Sequence, residues 1–225
     1  MGDHLDGAIV SVGAVLIDTA GPCIGVAARS ASGHVFDQSQ RIVAGADGWL
    51  TPALARALAH VGAGPFSLAV VTGPGAFTGV RVGVAHALGL GLARHIDIVP
   101  LSSLAVRACG APGFANLLVL LDGKKGRVYA QRFDTRSVVP KPLDNAVDID
   151  PNLVGAGDGA AVGEGAIVYA DVLRSRGYHP VPQADRLDLP AAFALLASVA
   201  AVPTSAVRPM YLREPDAVPP LGIVV

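Results

Sequence analysis

The sequence predicts an α/β fold of two related lobes, because one local plan occurs twice and helical material follows each copy. The first copy is Ala14 to Asp18, a short apolar run ending in a carboxylate, then the turn Thr19 to Pro22 and the run Ile24 to Arg29. Leu117 to Asp122, the turn Gly123 to Gly126 and the alternating run Arg127 to Phe133 repeat it. Each copy reads as a hairpin. The segments after the first hairpin run strand, helix, strand, the order of parallel sheets.

His34 to Ile42 reads as a third strand, and Thr51 with Pro52 as the N-cap and first turn of a helix ending near Val61. Leu54, Leu58 and Val61 give that helix one apolar stripe. Leu68 to Val71 is a short apolar strand, Gly73 to Gly79 a loop, Val80 to Arg94 a helix and Ile96 to Val99 another strand. The second lobe runs from about Leu117 to Pro182, with a helix near Ala166 to Arg176. Ala191 to Ala201 is a final apolar helix, and a proline-rich tail follows.

Composition narrows the function. Hydrophobic residues make up 52% of 225, enough to fill a core, while charged residues make up 16% and the mean hydropathy is +0.50. That balance points to apolar surface left over for a partner, or else to alanine and glycine inflating the index. Neither Gly79 to Ala93, broken by Arg81 and His86, nor Ala191 to Val202 reads as a membrane helix. Asp3 and Asp6 stand where a secretory leader is basic, so the chain is expected in the cytoplasm. A net charge of −1, with Lys124, Lys125 and Lys141 the sole lysines, lacks the footprint of a protein that grips nucleic acid alone. Cys23 and Cys109 suit reduced thiols in apolar settings, not a disulfide framework or zinc site.

The most informative stretch is Gly73-Pro74-Gly75-Ala76-Phe77-Thr78-Gly79-Val80-Arg81. It joins a strand to a helix, so its amides can receive an anion or nucleotide phosphate, with Gly73, Gly75 and Thr78 as contacts. It fits neither G-x-G-x-x-G nor a P-loop, and a tight turn capped by Thr78 explains it too. In the helix that follows, Gly79, Gly83, Ala87 and Gly91 form one small-residue stripe, and Ala85, Gly89 and Ala93 a second, roughly opposite. Each helical glycine costs about 1 kcal/mol relative to alanine, so close packing is expected on both faces, one against the chain's own sheet and one against another helix.

Other constellations are sparse. The six histidines show no i, i+4 pair and no zinc-protease motif, and no Gly-x-Ser-x-Gly elbow occurs. Asp18, Asp122 and Asp158 sit near strand ends, where they can hold a magnesium ion or water, or simply form turns. Lys124, Lys125 and Arg127 read as a solvated turn.

The run Gly73 to Gly83 closely resembles the Gly-Pro-Gly-Ser-Phe-Thr-Gly-Leu-Arg-Ile-Gly signature of the TsaB family, a branch of the group once labelled glycoprotease-like. Ser102-Ser103-Leu104 resembles that family's Ser-Ser-Leu, Asp122 to Tyr129 its Asp-Ala-Arg-Arg-Gly-Glu-Val-Tyr, and Pro209 to Arg213 its closing Pro-x-Tyr-Leu-Arg. The resemblance implies an actin-like (ASKHA) fold, with an N-terminal lobe over 1–105 that also takes a C-terminal helix at about 190–202, a reduced second lobe over 106–189 and a tail over 203–225. It further implies a non-catalytic subunit without a cofactor of its own, beside a TsaD-like catalytic subunit and a TsaE-like ATPase that carry the metal and ATP or ADP. Together these transfer a threonylcarbamoyl group from its adenylate to an adenosine next to the tRNA anticodon, and tRNA is met only through the complex. TsaD holds its metal with two histidines four apart on its first long helix, where this chain offers only His60. Ala76 and Arg127 replace the family's usual serine and glutamate.

The expected docking or homodimer face comprises Gly79, Arg81, Val82, Gly83, Ala85, His86 and Gly89, with Leu54 and Leu58 of the preceding helix. The alternative is a stand-alone actin-fold enzyme, either a peptidase or a phosphotransferase with Asp18 and Asp122 facing a nucleotide and magnesium.

Overall fold

A computed structural model describes residues 12–42, 45–181 and 187–213, with the side chains of 46 and 47 left aside. The stretch from Met1 to Gly7 and the tail beyond 213 lie outside the described residues. In β1 (Gly13–Asp18) every residue is buried, the pattern of a strand covered on both faces. It pairs antiparallel with β2 (Cys23–Arg29), which pairs in turn with β3 (Val35–Arg41). On its other side β1 runs parallel to β4 (Phe66–Gly73), and β4 to β5 (Ile98–Ser102), giving the order β3-β2-β1-β4-β5.

The second sheet repeats this plan. Strand β6 (Leu117–Lys124) pairs antiparallel with β7 (Arg127–Asp134), which meets β8 (Lys141–Pro142) and β9 (Val147–Ile149). Parallel strands β10 (Ala160–Val162) and β11 (His179–Pro180) lie on the far side of β6. The resulting order, β11-β10-β6-β7-β8, is that of the first sheet read from its parallel end. Two α/β lobes of one topology make this an actin-like fold.

Helix α1 (Ala46–Val61) begins earlier than the Thr51–Pro52 pair suggests. Pro52 lies inside it at an exposed position, where water can take the carbonyl that loses its bond. Helix α2 (Phe77–Arg94) also starts early, and its N-cap is Ala76, with extended backbone and no capping side chain. Thr78 is therefore an exposed residue of the first turn and not the cap. The helix expected at 166–176 is two short ones, α4 (Glu164–Val168) and α5 (Ala170–Ser175), broken at Tyr169. The helix expected at 190–202 is α6 (Leu189–Ala192) followed by a 3-10 segment, Phe193–Ala197. A competing interaction shortens it, for Val202 exchanges two backbone hydrogen bonds of 2.9 Å with Ile98 and so covers the edge of β5.

Between the sheets lies α3 (Ser103–Cys109), a helix the sequence does not announce. Val106 and Cys109 join the core of the first sheet, and Leu104 and Ala108 that of the second. Leu189, Ala192, Phe193 and Leu195 return to the first core.

Because Ala76 has extended backbone but no side-chain acceptor, Ala76→Ser is expected to supply one to the free amides of the first turn of α2. The gain should be about 0.5–2 kcal/mol, read as a higher urea midpoint at unchanged slope.

Candidate functional site

The turn after β1 organises the site. Asp18 is fully buried, and its Oδ1 accepts the Ala20 amide at 2.8 Å. The Ala20 carbonyl then accepts the Ala76 amide at 2.7 Å, and the Thr19 hydroxyl donates to the Gly79 carbonyl at 2.7 Å. The glycines of the loop permit this approach. A Cβ at Gly75 would stand 2.2 Å from the Ala20 carbonyl oxygen, one at Gly79 2.2 Å from that of Thr19, and one at Gly83 2.3 Å from the Thr19 hydroxyl. The space beside Gly75 and Gly79 is thus taken by the chain's own backbone, so it is not an open cradle for an anion. Gly73, with φ of +121°, gives way to Met210, whose amide donates to the Thr72 carbonyl at 2.7 Å. Ser103, fully buried, donates to the Pro74 carbonyl and ties the loop to α3.

This packing separates the two stripes of α2. Gly83, Ala87 and Gly91 are buried against the chain's own lobe. Ala85, Gly89, Leu92 and Ala93 are exposed, and a Cβ at Gly89 would meet nothing within 4 Å among the described residues. Arg81 is exposed too, while Val82 and His86 are half-buried. Toward α1, the His86 Nδ1 donates to the Val82 carbonyl at 2.9 Å, and its Nε2 shares a hydrogen bond of 3.2 Å with the Thr51 hydroxyl. Leu54 is buried in the first core, and half-buried Leu58 packs against it.

Asp18 and Asp122 share a local role. Asp122 Oδ1 accepts the Lys124 amide at 2.9 Å, as Asp18 Oδ1 accepts that of Ala20, and its Oδ2 takes the Lys124 ammonium at 2.6 Å. The second oxygen of Asp18 is bonded to Arg107, buried in α3. Half-buried Glu164, at the start of α4, completes an acidic and basic series between the sheets, and a Cβ at Gly21 would lie 2.9 Å from both its Oε1 and Arg107 Nη2. Burial alone would lower the Arg107 guanidinium, but Asp18 and Glu164 outweigh it and hold it above its ordinary value. Burial raises the Glu164 carboxyl, Arg107 opposes that rise, and Asp18 and Asp122 add to it. The two aspartates do converge on one interlobe region, but Arg107 already occupies the charge-binding position at Asp18. Asp158 is exposed just ahead of β10. Cys109 is inert, its thiol pushed up to about 12 by burial and Asp188.

The family model of TsaD, the tRNA N6-adenosine threonylcarbamoyltransferase, matches residues 47–168. The tRNA threonylcarbamoyladenosine biosynthesis protein TsaB of Escherichia coli is 31% identical over 166 residues, covering 66% of this chain and 71% of that protein. The chain belongs to the TsaB family. An uncharacterized Mycobacterium tuberculosis protein is 34% identical over 176 residues, 76% of each chain. The crystal structure of YeaZ from Pseudomonas aeruginosa superposes with a TM-score of 0.78 at 22% identity, over 89% of this chain and all of that one, which establishes the fold.

Within this TsaB-family chain, three residues that sequence reasoning passed over are central. Arg107 and Glu164 carry no motif, and only their burial between the lobes gives them meaning. Tyr211 lies in the closing Pro-x-Tyr-Leu-Arg segment, which matched as a pattern without a role. Its hydroxyl accepts from Arg81 Nε at 2.9 Å, and its ring stacks on Phe77 with centroids 5.2 Å apart. Two residues on, Arg213 donates to the Gly123 carbonyl at 3.0 Å, so the segment spans from the first lobe to the second.

Two outcomes follow from the interlobe charges. Removing Arg107 as Arg107→Met leaves Asp18 buried and unpaired, and should cost about 3–5 kcal/mol in urea unfolding. Glu164 binds its proton more tightly folded than unfolded, so wild-type stability should fall as pH rises from the ordinary carboxylate range through its folded value. Glu164→Gln should flatten that decline in urea midpoints measured from about pH 4 to about pH 8.

Proposed function

We propose that this chain is a non-catalytic partner subunit in the synthesis of threonylcarbamoyl-adenosine in tRNA, docking through α2 and the adjoining part of α1 on a TsaD-like catalytic subunit, with a TsaE-like ATPase as further partner. The observation that carries the reading is the bare outer stripe of α2. Ala85, Gly89, Leu92 and Ala93 line one exposed side, and among the described residues nothing outside the helix lies within 4 Å of where a Cβ at Gly89 would stand. A solvated helix gains nothing from glycine there, whereas a second helix lying close against it does. Membership of the TsaB family and the match to the TsaD model support a TsaD-like subunit as that partner.

A stand-alone phosphotransferase receives less support. Both carboxylate oxygens of Asp18 are committed, one to Ala20 and one to Arg107, so a metal-bound phosphate would first have to displace a buried ion pair. Contact with tRNA is assigned to the complex, since the chain's net charge is −1 and three lysines offer little for phosphates.

Reconstitution tests the proposal. With threonylcarbamoyl-adenylate and tRNA supplied, the isolated chain should transfer nothing, and leaving it out of the complete mixture should strongly reduce transfer. Transfer by the chain alone would overturn the reading. Gly89→Leu should keep the fold, with helix propensity improved by about 1 kcal/mol, and abolish binding to the TsaD-like subunit. Gly83→Leu should instead destabilise the chain by at least about 1–3 kcal/mol, because its side chain meets Thr19. Normal binding by folded Gly89→Leu would remove α2 as the docking element.

A further inference from the structure

At the N-terminal end of the outer stripe the helix presents a charge. The Arg81 guanidinium carbon lies 3.6 Å from the centroid of the Phe77 ring and 5.9 Å from that of Tyr211, while Nε donates to the Tyr211 hydroxyl. The two rings, 38% and 40% exposed, stack on each other at an interplanar angle of 29°. Two side chains, Phe77 one turn before it on α2 and Tyr211 from the distant C-terminal segment, thus hold one arginine in a single posture, on the surface of the same helix as Gly89. Among the described residues no carboxylate pairs with Arg81, although Arg107, Arg127, Arg132, Arg136 and Arg174 each have one.

Such an arginine is well suited to anchor a partner. A guanidinium stacked on an aromatic face keeps its terminal nitrogens for planar, two-point recognition of a carboxylate, and because it is already ordered it loses less freedom on binding than a mobile side chain. Arginine and tyrosine are also the residue types that most often dominate interface energetics.

The composition of the face indicates which partner this favours. Helix α2, from Phe77 to Arg94, contains no aspartate or glutamate, and the sequence of α1 has one acidic residue, Asp47. When α2 packs against α2 of a second copy, the charges of Arg81 and Arg94 find no counter-charge on that helix. Like charges brought together at an interface select against that pairing. We infer that Arg81, clamped by Phe77 and Tyr211, is the specificity anchor of the docking face: it pairs with a carboxylate on the facing helix of a different protein, and so favours a hetero-partner over a second copy of this chain. The inference rests on the docking reading above and adds the chemistry of the partner and the part played by the C-terminal segment.

The test uses the full chain and the TsaD-like subunit of the same organism, with affinity measured by calorimetry at about 50 mM and about 500 mM salt, and self-association by sedimentation. Arg81→Met keeps the stem and removes the charge. It should weaken hetero-association about thirtyfold, abolish most of its salt dependence, and leave self-association unchanged or stronger. Tyr211→Phe keeps the ring stack and removes the hydrogen bond, so it should weaken hetero-association by a smaller factor while the salt dependence persists. Gly89→Leu separates the two levels of the argument. If it abolishes binding while Arg81→Met binds like wild type with the same salt dependence, docking through α2 stands and the anchor is overturned. If both variants bind normally, the docking reading itself has failed. If Arg81→Met weakens self-association as much as hetero-association, or if Asp47→Asn alone reproduces its effect on self-association, the selection of a different partner is overturned. Unchanged urea midpoints confirm that each variant reports on binding and not on folding.

Discussion

The three residues from Asp18 to Ala20 constrain most of what surrounds them. One carboxylate oxygen of Asp18 shapes the turn and the other holds Arg107, while the carbonyl of Ala20 and the hydroxyl of Thr19 take hold of the loop and the first turn of α2. A strand end, the interlobe helix α3 and the start of α2 are therefore located by one short segment. The glycines at 75, 79 and 83 are the counterpart of that arrangement, since a methyl group at any of them would stand closer to the turn than van der Waals contact allows. Their helix-weakening effect is offset by the contacts they permit.

The same segment shows how an actin-like cleft can be given over to structure. Two aspartates, each near the end of the first strand of its sheet, accept the amide two residues on, and the duplication extends to this detail. In the first lobe a guanidinium then neutralises the carboxylate from within the chain. A buried pair of this kind does little for net stability, but it is costly to break one side of it, so it holds the relative placement of the elements that carry its members. Here those are β1 and α3, and α3 in turn contributes to both cores.

Strands were legible in the sequence where burial on both faces left an uninterrupted apolar run, as at Ala14 to Asp18 and Leu117 to Asp122. The doubled plan was legible for the same reason. Helix α3 was not, because seven residues buried on two sides show no amphipathic period. Thr51 and Pro52 look like a helix start by local rules, yet the helix runs through them. Ala191 to Ala201 reads as helix until Val202 is claimed by Ile98, a partner no local pattern names. The paired small-residue stripes of α2 were visible, but which of them faces outward depends on Thr19, sixty residues away from Gly79. The Tyr211–Arg81 contact, across a still longer separation, left no trace except a family pattern.

The return of the chain to the first sheet bears on how the protein is made. Leu189, Ala192, Phe193 and Leu195 fill the first core, and Val202 closes the outer edge of β5, although the strands they complete end at Ser102. During synthesis the first sheet emerges well before the residues that finish it, and the whole second sheet is made in between. The N-terminal lobe therefore cannot reach its final packing as a nascent domain on the ribosome. Its closure is a late, long-range event, which places the slow, aggregation-exposed stage of folding between the appearance of β5 and the arrival of α6.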